Sequence, residues 1–539
     1  MDTEDKKERT HSVLPTRDGT SISDDLVNAS GHVQELKRHY SLLSLAGIGI
    51  TVGNVWPAAG GSILVALYNG GSPGVLYEFI VVSVFYWIVA LSLAELASAI
   101  PSSAGVYHWA SVTPGKRWGP INGYFAGWWN YLAWVFGAAS MSSIFGNTVV
   151  QMYALKHPDF VAERWHVFVV YVIITWLACL SVCFFNRAMP WLNTAGIFFI
   201  LAGFLITVIV LAVMPGRDGR PPHATSSFVW SEWSADIGYP NGFVFVAGML
   251  NGAYSVGVPD VVSHLSEEIP NPARNVPIAI GLQMALGFVT GLAYLVVVMY
   301  AINDYDALFE VAYPIAEIYR QGTGSAAAAI GLLFLALVCI AICLLGLYIT
   351  SGRTLWTLAR DRATPFPNQL SKVHPELDVP IITTLLTAVL VTILGCIYLG
   401  SLTAFNAFVG SFVIMSSSSY IAAILPHLIT GRKNITFGTF NLNKGPLGYI
   451  CNAIACGYMV VWFVIYCFPF ALPTDAATMN YASLLWGGLT ILLLLWWFIG
   501  ARKGYEGPRT TGGQTGVDLV KDLSQIKNGS IGSVPRHVV

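Results

Sequence analysis

The sequence predicts an all-α integral membrane protein with about twelve transmembrane helices. Hydrophobic residues make up 55% of the 539 positions and charged residues only 11%, which is far from the composition of a soluble chain. Apolar windows of roughly 20 residues, enough to cross about 30 Å of hydrocarbon as a helix, recur along the chain. With both termini on one side of the membrane, 23 of the 28 Lys and Arg residues lie on that side. This asymmetry requires an even number of spans and predicts cytosolic termini.

Twelve predicted spans follow one another between short polar loops. They cover residues 42–69, 73–100, 120–152, 166–186, 191–214, 240–263, 277–301, 325–350, 380–399, 402–425, 447–471 and 480–500. The flanking segments 1–40 and 502–539 are charged and poor in long apolar runs, so we expect disordered cytosolic tails around a transmembrane domain at 41–501.

Composition also narrows the classes of function. The 28 basic residues nearly balance the 29 acidic ones, which gives no indication of a nucleic-acid partner. The pairs Cys179/Cys183 and Cys339/Cys343 have helical spacing that could fit a metal, but small apolar packing is the simpler interpretation. We therefore predict no disulfide, no metal site and no cofactor. The spans also contain no constellation of nucleophile, base and metal, so we do not expect an enzyme.

The first span contains several residues that disfavour a straight helix. Its middle, 46–57, combines three glycines, a proline and two polar side chains. In lipid a helix can unwind only where protein or water shelters its backbone, so a break indicates a site. The candidate substrate-binding positions here are Gly47, Gly49, Thr51, Gly53, Asn54 and Trp56.

The sixth span repeats this pattern in residues 251–260, which add Ser255, Gly257 and Asp260 to the candidate substrate site. Interrupted spans five apart are typical of a transporter built from an inverted repeat, with its site at the membrane midplane. Unwound amides and half-helix N-termini can hold a carboxylate, while carbonyls and acidic side chains can hold an ammonium group. The alternative is that the glycines only allow close packing of helices.

Asp260 is the leading ionisable candidate, because a carboxylate at this depth costs roughly 2.5–3.5 kcal/mol to insert. His264 and Glu268 follow at i+4 and i+8 and share its helical face, and Glu267 lies close by. We interpret Asp260 and His264 as proton-coupling candidates. Alternatively the half-span ends near Asp260, and the later residues face water beside Arg274.

Two further groups are weaker candidates. Glu95 lies near the cytosolic end of the second span and Glu78 near its outer end, where gating or folding roles are expected. In the third span, four residues could line a cavity in which aromatic rings hold a quaternary ammonium ion, although packing explains such a pattern equally simply. They are Trp128, Asn130, Tyr131 and Trp134.

Four sequence runs together resemble one known family. They are Asn54-Val55-Trp56, the stretch from Ala94-Glu95-Leu96-Ala97-Ser98 to Trp109, Asp260-x-x-x-His264-x-x-Glu267-Glu268 followed by Pro277, and Arg353-x-x-Trp356-x-x-Ala359-Arg360-Asp361. They resemble the amino acid-polyamine-organocation superfamily, and within it the fungal permeases for choline, GABA and related amines. The resemblance runs nearly end to end. Pro259 and Ala104 depart from the pattern.

The resemblance implies a LeuT-like fold, with a five-plus-five inverted repeat followed by two additional C-terminal helices. It also implies alternating access, coupling to protons, and residence in a fungal plasma membrane, with the vacuolar membrane as the alternative. The expected function is import of a small amine or amino acid, such as choline or GABA. The expected partners are that substrate, protons and membrane lipid.

Substrate identity stays open at this stage. For a zwitterion, the first span would receive the carboxylate and Asp260 the ammonium group. For choline, Trp56, Trp128 and Tyr131 would form a cage instead. A non-transporting nutrient receptor of the same fold and an exporter of a related metabolite are the alternative functions.

Overall fold

A computed structural model describes residues 40–217, 219–401, 403–443, 445–505 and 507–508, together with two short strands. The strands Leu14–Pro15 and Ser21–Ile22 pair antiparallel. Of the predicted tails, Tyr40, residues 502–505 and residues 507–508 are also described, and Tyr40 and Tyr505 are buried. The expectation of disorder otherwise falls on residues outside the described part of the chain.

Within the described residues, twelve helices are long and apolar enough to cross a membrane, as the sequence predicts. Spans 1 to 12 are Leu42–Gly61, Gly71–Ala99, Gly119–Ala154, Arg164–Phe184, Asn186–Val213, Asn241–Glu268, Pro272–Tyr300, Ala326–Arg360, Ile381–Gly400, Phe405–Ile429, Leu447–Ile465 and Ala482–Lys503. The connecting segments form short helices at Leu64–Leu67, Val106–Val112, Ser226–Trp230, Asp306–Leu308, Pro314–Thr323 and Pro367–Leu370.

Two spans are interrupted, and they are the two that the sequence indicates. Span 1 consists of Leu42–Gly53 and Val55–Gly61, separated by Asn54 in the left-handed conformation at φ 33°. Span 6 consists of an α-helix, Asn241–Val256, and a 3₁₀-helix, Val261–Glu268. The four residues between these helices include Gly257 and Pro259, which interrupt regular helical hydrogen bonding.

The interrupted spans lie at the centre of the bundle. Spans 1, 3, 6 and 10 are the most buried of the twelve, whereas span 12 is the most peripheral. Span 3 packs along spans 8 and 10, and span 2 packs along span 7 and the first half of span 6. We call the end of the bundle that holds Tyr40 and Tyr505 the proximal face and the opposite end the distal face. An even number of spans brings both ends of the described chain to the proximal face.

Candidate functional site

A polar cluster surrounds Asp260, directly after the break in span 6. The Asn130 amide donates to Asp260 Oδ2 over 2.8 Å, and the Tyr420 hydroxyl donates to Oδ1 over 2.5 Å. His264 Nε2 lies 3.3 Å from Oδ2. All four side chains are buried. Among the described residues, no Lys or Arg lies within ion-pair distance of Asp260, so its charge is offset by hydrogen-bond donors and an imidazole.

Both ring nitrogens of His264 have oxygen atoms as neighbours. Nδ1 lies 3.2 Å from the Ser103 carbonyl oxygen and 3.3 Å from the hydroxyl of Thr354, which itself donates to the Thr350 carbonyl. Nε2 faces the carboxylate of Asp260. Each ring nitrogen therefore lies beside an oxygen atom that can accept a hydrogen bond.

The region between the two breaks is lined by amide groups. Asn54 is buried, and neither atom of its carboxamide has a nitrogen or oxygen partner among the described residues, although the Cys343 thiol lies close enough to interact with it. Gln283 of span 7 donates through Nε2 to the Val258 carbonyl over 2.9 Å, while its Oε1 has no partner. A Cβ added at Gly49 or Gly53 would lie within 3.3 Å of the Gln283 side chain. Gln283 thus lies between the two interrupted spans, with one acceptor available to a ligand.

Gly53 of the first break and Ser255 and Val258 of the second line the same two cavities. These cavities measure about 10 and 20 Å³, room for one water molecule at most. The Ser255 hydroxyl donates to the Asn251 carbonyl over 2.8 Å, and the Gly257 carbonyl lies 3.2 Å from the Tyr420 hydroxyl. The region between the two breaks is therefore closed around its own polar groups in this conformation.

Two other predicted positions in span 1 serve its packing. A Cβ at Gly47 would lie 2.7 Å from the Asn193 carbonyl oxygen, so this glycine allows span 1 to approach span 5. The Thr51 hydroxyl bonds within its own helix, to the Ile48 carbonyl. Gly47 has no side chain, and the Thr51 hydroxyl is used within its own helix, so neither contributes a polar side-chain atom to the region around Asp260.

The structure distributes the candidate aromatic residues over two places. Trp56 packs on Tyr294 at 5.3 Å and donates to the Ile200 carbonyl. Trp128 packs edge-on against Tyr131 at 5.9 Å, and the Tyr131 hydroxyl bonds to Thr387 of span 9. These rings do not meet in this conformation. The rings near the breaks are Trp134, Tyr254 and Phe412.

These three rings form one cluster. Phe412 lies 6.4 Å from Trp134 and 5.6 Å from Tyr254, and both Tyr254 and Phe412 line the larger of the two midplane cavities. Trp134 also meets His264 edge-on at 5.9 Å and donates to Asn130. The cluster therefore joins apolar ring surface to the polar surroundings of Asp260.

Buried ion pairs lie on the proximal side of this site. Glu268 receives a bidentate contact from Arg353 of span 8, with the longer of the two hydrogen bonds at 2.9 Å. Glu267 pairs with Arg360 at 3.5 Å. These carboxylates therefore do not face water beside Arg274, which was the alternative that the sequence left open.

Glu95 anchors a further pair at the proximal end of span 2. Both of its oxygens lie 2.6 Å from Arg432 Nη2, and the Leu442 amide donates to Oε1 over 2.6 Å. His427 lies 3.9 Å away. These contacts tie span 2 to the segment between spans 10 and 11.

The distal face holds a vestibule of about 610 Å³. Tyr68, Tyr305 and Phe309 form an aromatic group in its lining, with Phe309 at 4.8 Å from Tyr68 and 5.1 Å from Tyr305. Asp236 and Asp306 are its charged lining residues. The distal end therefore holds open space, whereas buried ion pairs lie at the proximal end and the region between the breaks has room for one water molecule at most.

The chain matches the family model described as amino acid permease over residues 40–490. It is 31% identical over 487 residues to a choline transporter of Saccharomyces cerevisiae, covering 89% of this chain and 84% of that protein. The chain belongs to the amino acid permease family. This result confirms the resemblance to the amino acid-polyamine-organocation superfamily.

This permease is also similar to a second fungal protein in sequence and to a solved structure in fold. A transmembrane transporter, swnT, of Metarhizium robertsii is 30% identical over 478 residues, covering 88% of this chain and 93% of that one. A manganese transporter of Eremococcus coleocola superposes with a TM-score of 0.51 at 15% identity, over 86% of this chain and 95% of that chain. The second likeness shows the fold alone and confirms the predicted all-α fold class. The five-plus-five inverted repeat stays a prediction.

Proposed function

We propose that this permease is a secondary active transporter that imports a small amine or amino acid by alternating access. The observation that carries the proposal is the buried cluster around Asp260, which adjoins a helix break and contains no Lys or Arg among the described residues. A carboxylate at this depth is costly to bury unless a positive charge joins it. An amine or a proton supplies that charge.

The favoured substrate is an organic cation of the choline class. A relative named as a choline transporter is 31% identical, and the rings of Trp134, Tyr254 and Phe412 lie beside the same cluster. Aromatic faces attract a quaternary ammonium ion, which cannot donate a hydrogen bond to a carboxylate. We therefore place the cage on these three rings rather than on Trp56, Trp128 and Tyr131.

An amino acid is the second substrate candidate, and the first break supports it. Asn54 and the Oε1 atom of Gln283 have unused hydrogen-bonding capacity near Gly49 and Gly53. A zwitterion would place its carboxylate on the Asn54 amide and unwound backbone, and its ammonium group on Asp260 and Gln283.

Proton coupling is proposed at the pair formed by Asp260 and His264. The pair is fully buried, and its hydrogen bonds suit one added proton on the imidazole. Glu95 is assigned to gating, because Arg432 and a backbone amide already occupy both of its oxygens. The proximal face is assigned to the cytosol on the distribution of Lys and Arg, and the membrane to the plasma membrane, with the vacuolar membrane as the alternative.

The test is uptake of labelled choline, GABA and a panel of amino acids in a yeast strain lacking its own carriers, with and without an uncoupler. We expect one compound to accumulate, and accumulation to collapse with the uncoupler and to fall as external pH rises. Sodium-dependent accumulation that ignores pH would reject proton coupling. Binding without counterflow of labelled substrate would indicate a receptor. Surface expression without uptake, together with efflux from loaded cells, would indicate an exporter.

A further inference from the structure

Glu78 of span 2 is a buried carboxyl group that the proposed site does not use. Its side chain is 1% exposed, and neither of its oxygens has a hydrogen-bond partner. Among the described residues, no Lys, Arg or His lies within ion-pair distance of it. A charged carboxylate without donors or a counter-ion costs several kcal/mol in such surroundings. The group is therefore held as the neutral acid in this conformation.

The carboxyl group of Glu78 lies against the backbone of span 6. A Cβ added at Gly248 would lie 2.2 and 2.3 Å from its two oxygens, and one added at Gly74 would lie 3.3 Å from Oε1. Gly248 belongs to the first half of span 6, which packs along span 2. Glycine at position 248 therefore lets the carboxyl group of Glu78 lie directly against the span 6 backbone, and this contact exists only while the two helices are closely packed.

The titratable groups around Glu78 offer it no positive charge. The elements packed on the distal half of span 2 carry tyrosines and cysteines, and Tyr466 beside span 11 is close enough to interact electrostatically with Glu78. Arg274 of span 7 and Tyr449 and Cys451 of span 11 lie at the opposite, proximal ends of these elements. The titratable groups in their distal halves are Tyr254 of span 6, Tyr294 and Tyr300 of span 7, and Cys456, Tyr458, Tyr466 and Cys467 in and after span 11. All of them are neutral or negative, so none favours an ionised Glu78.

We propose that Glu78 is a proton-binding site, loaded from the distal side, whose proton holds the first half of span 6 against span 2 while the proximal face is closed. Glu78 is the eighth residue of span 2, about 10 Å from its distal end. Loading adds one proton to the carboxylate and removes its charge. When span 6 moves away and water reaches the group, the acid releases that proton.

This proposal rests on the proposed transport function. It explains how a proton and a cationic amine can be bound at the same time. A cationic amine at Asp260 would meet a protonated His264, and like charges repel there. Gly248 lies eight residues, about 12 Å along the helix, before Val256 and the break. A neutral Glu78 at this distance can hold a proton together with a bound amine, which a single site at Asp260 cannot.

The first experiment is infrared difference spectroscopy of the full-length purified protein between acidic and alkaline pH, without substrate. We expect the carbonyl band of a protonated carboxylic acid that is lost in Glu78→Gln and shifted in Glu78→Asp. Glu310→Gln, which changes an exposed glutamate, is the matched control and should retain the band. A band that is unchanged in Glu78→Gln would overturn the proposal. If Glu78→Gln fails to fold, an unshifted band in Glu78→Asp would do so.

The second experiment is the initial rate of uptake against distal pH in the same variants. The wild-type rate should fall as pH rises, by at most about tenfold per pH unit for one proton. The permanently neutral Glu78→Gln should remain at the acid-side rate with a flattened profile, and Glu78→Asp should restore the dependence. A Glu78→Gln profile identical to wild type would overturn the site. Failure of wild type to transport any amine, with the infrared band still lost in Glu78→Gln, would reject the proposed function alone.

Discussion

Asp260 is held by side chains from three spans, Asn130 of span 3, His264 of span 6 and Tyr420 of span 10. Each donor is buried, so removing the charge of Asp260 alters the site without creating a cavity. This makes an isosteric substitution a clean probe of its role.

Asp260→Asn should reduce substrate transport by at least about tenfold, since the loss of one charge-assisted contact is worth roughly 1.5–3 kcal/mol. Surface expression should remain near wild type because the side-chain volume is unchanged. The measurement is initial uptake normalised to surface protein, with Asp159→Asn, an exposed loop variant, as the control. Wild-type kinetics in Asp260→Asn would refute the assignment.

Two substitutions at Asn54 can test its backbone conformation and its proposed substrate contact separately. Its φ of 33° favours glycine, while its carboxamide has no nitrogen or oxygen partner among the described residues. Asn54→Gly should therefore keep or raise thermal stability, whereas Asn54→Ala should lose about 1 kcal/mol through strain. Both variants should raise KM if the carboxamide contacts the substrate. Equal melting temperatures for the two variants would show that the left-handed conformation does not strain alanine at this position. An unchanged KM would show that the carboxamide does not contact the substrate.

At the residue scale the sequence predicts local contacts and misses distant ones. The spacing of Asp260 and His264 anticipates their contact at 3.3 Å, although His264 lies in a 3₁₀-helix and not in the α-helix for which residues four apart lie on one face. Tyr420 and Gln283 enter the site through tertiary packing, and no local pattern near Asp260 indicates them. A lone glutamine in an apolar span is the one signal that could have identified Gln283.

Glycines set how closely the helical elements approach one another. A Cβ at Gly47 would meet the Asn193 backbone at 2.7 Å, while a Cβ at Gly457 of span 11 would meet nothing within 4 Å. Gly47→Ala should therefore separate spans 1 and 5 and lower the melting temperature by several degrees, at a cost of about 1–3 kcal/mol. Gly457→Ala is the matched control and should be neutral or slightly stabilising. Equal stability of the two variants would contradict the packing role, as measured by thermal unfolding in detergent.

The sequence predicts where spans 1 and 6 break, but not the form that span 6 takes afterwards. Glycine and proline between Val256 and Val261 account for the interruption. The second half then continues as a 3₁₀-helix whose eight residues are all buried. Its geometry depends on Arg353 and Arg360 of span 8 binding Glu268 and Glu267, contacts between elements far apart in sequence.

Across the whole molecule, buried ion pairs lie at the proximal face, and a natural thiol can test whether they close it. Cys451 is buried and close enough to Glu95 and Arg432 to interact with both. Glu95→Gln removes the charge from the pair, so labelling of Cys451 by an impermeant thiol reagent from the proximal side should increase several-fold. Glu376→Gln, an exposed loop variant, should label like wild type. No increase in Glu95→Gln would show that this pair does not close the face.

The distal vestibule carries negative charge at the entrance to the molecule. Asp236→Asn combined with Asp306→Asn should raise KM for a cationic substrate about two- to fivefold at low ionic strength and leave kcat unchanged. The difference should vanish in high salt. Asp159→Asn removes a charge outside the vestibule lining and should have no such effect. A change in kcat that persists in salt would indicate a structural defect instead.

The 3₁₀ form of Val261–Glu268 gives span 6 an adjustable length. Eight residues extend about 16 Å as a 3₁₀-helix and about 12 Å as an α-helix, while the backbone stays hydrogen-bonded in both. Conversion of this segment to an α-helix would shorten it by about 4 Å. Glu268 would then lie closer to Asp260, and its ion-pair partner Arg353 would have to move with it. Spin labels at its two ends would measure this stroke, and a distance that stays constant through the transport cycle would exclude it.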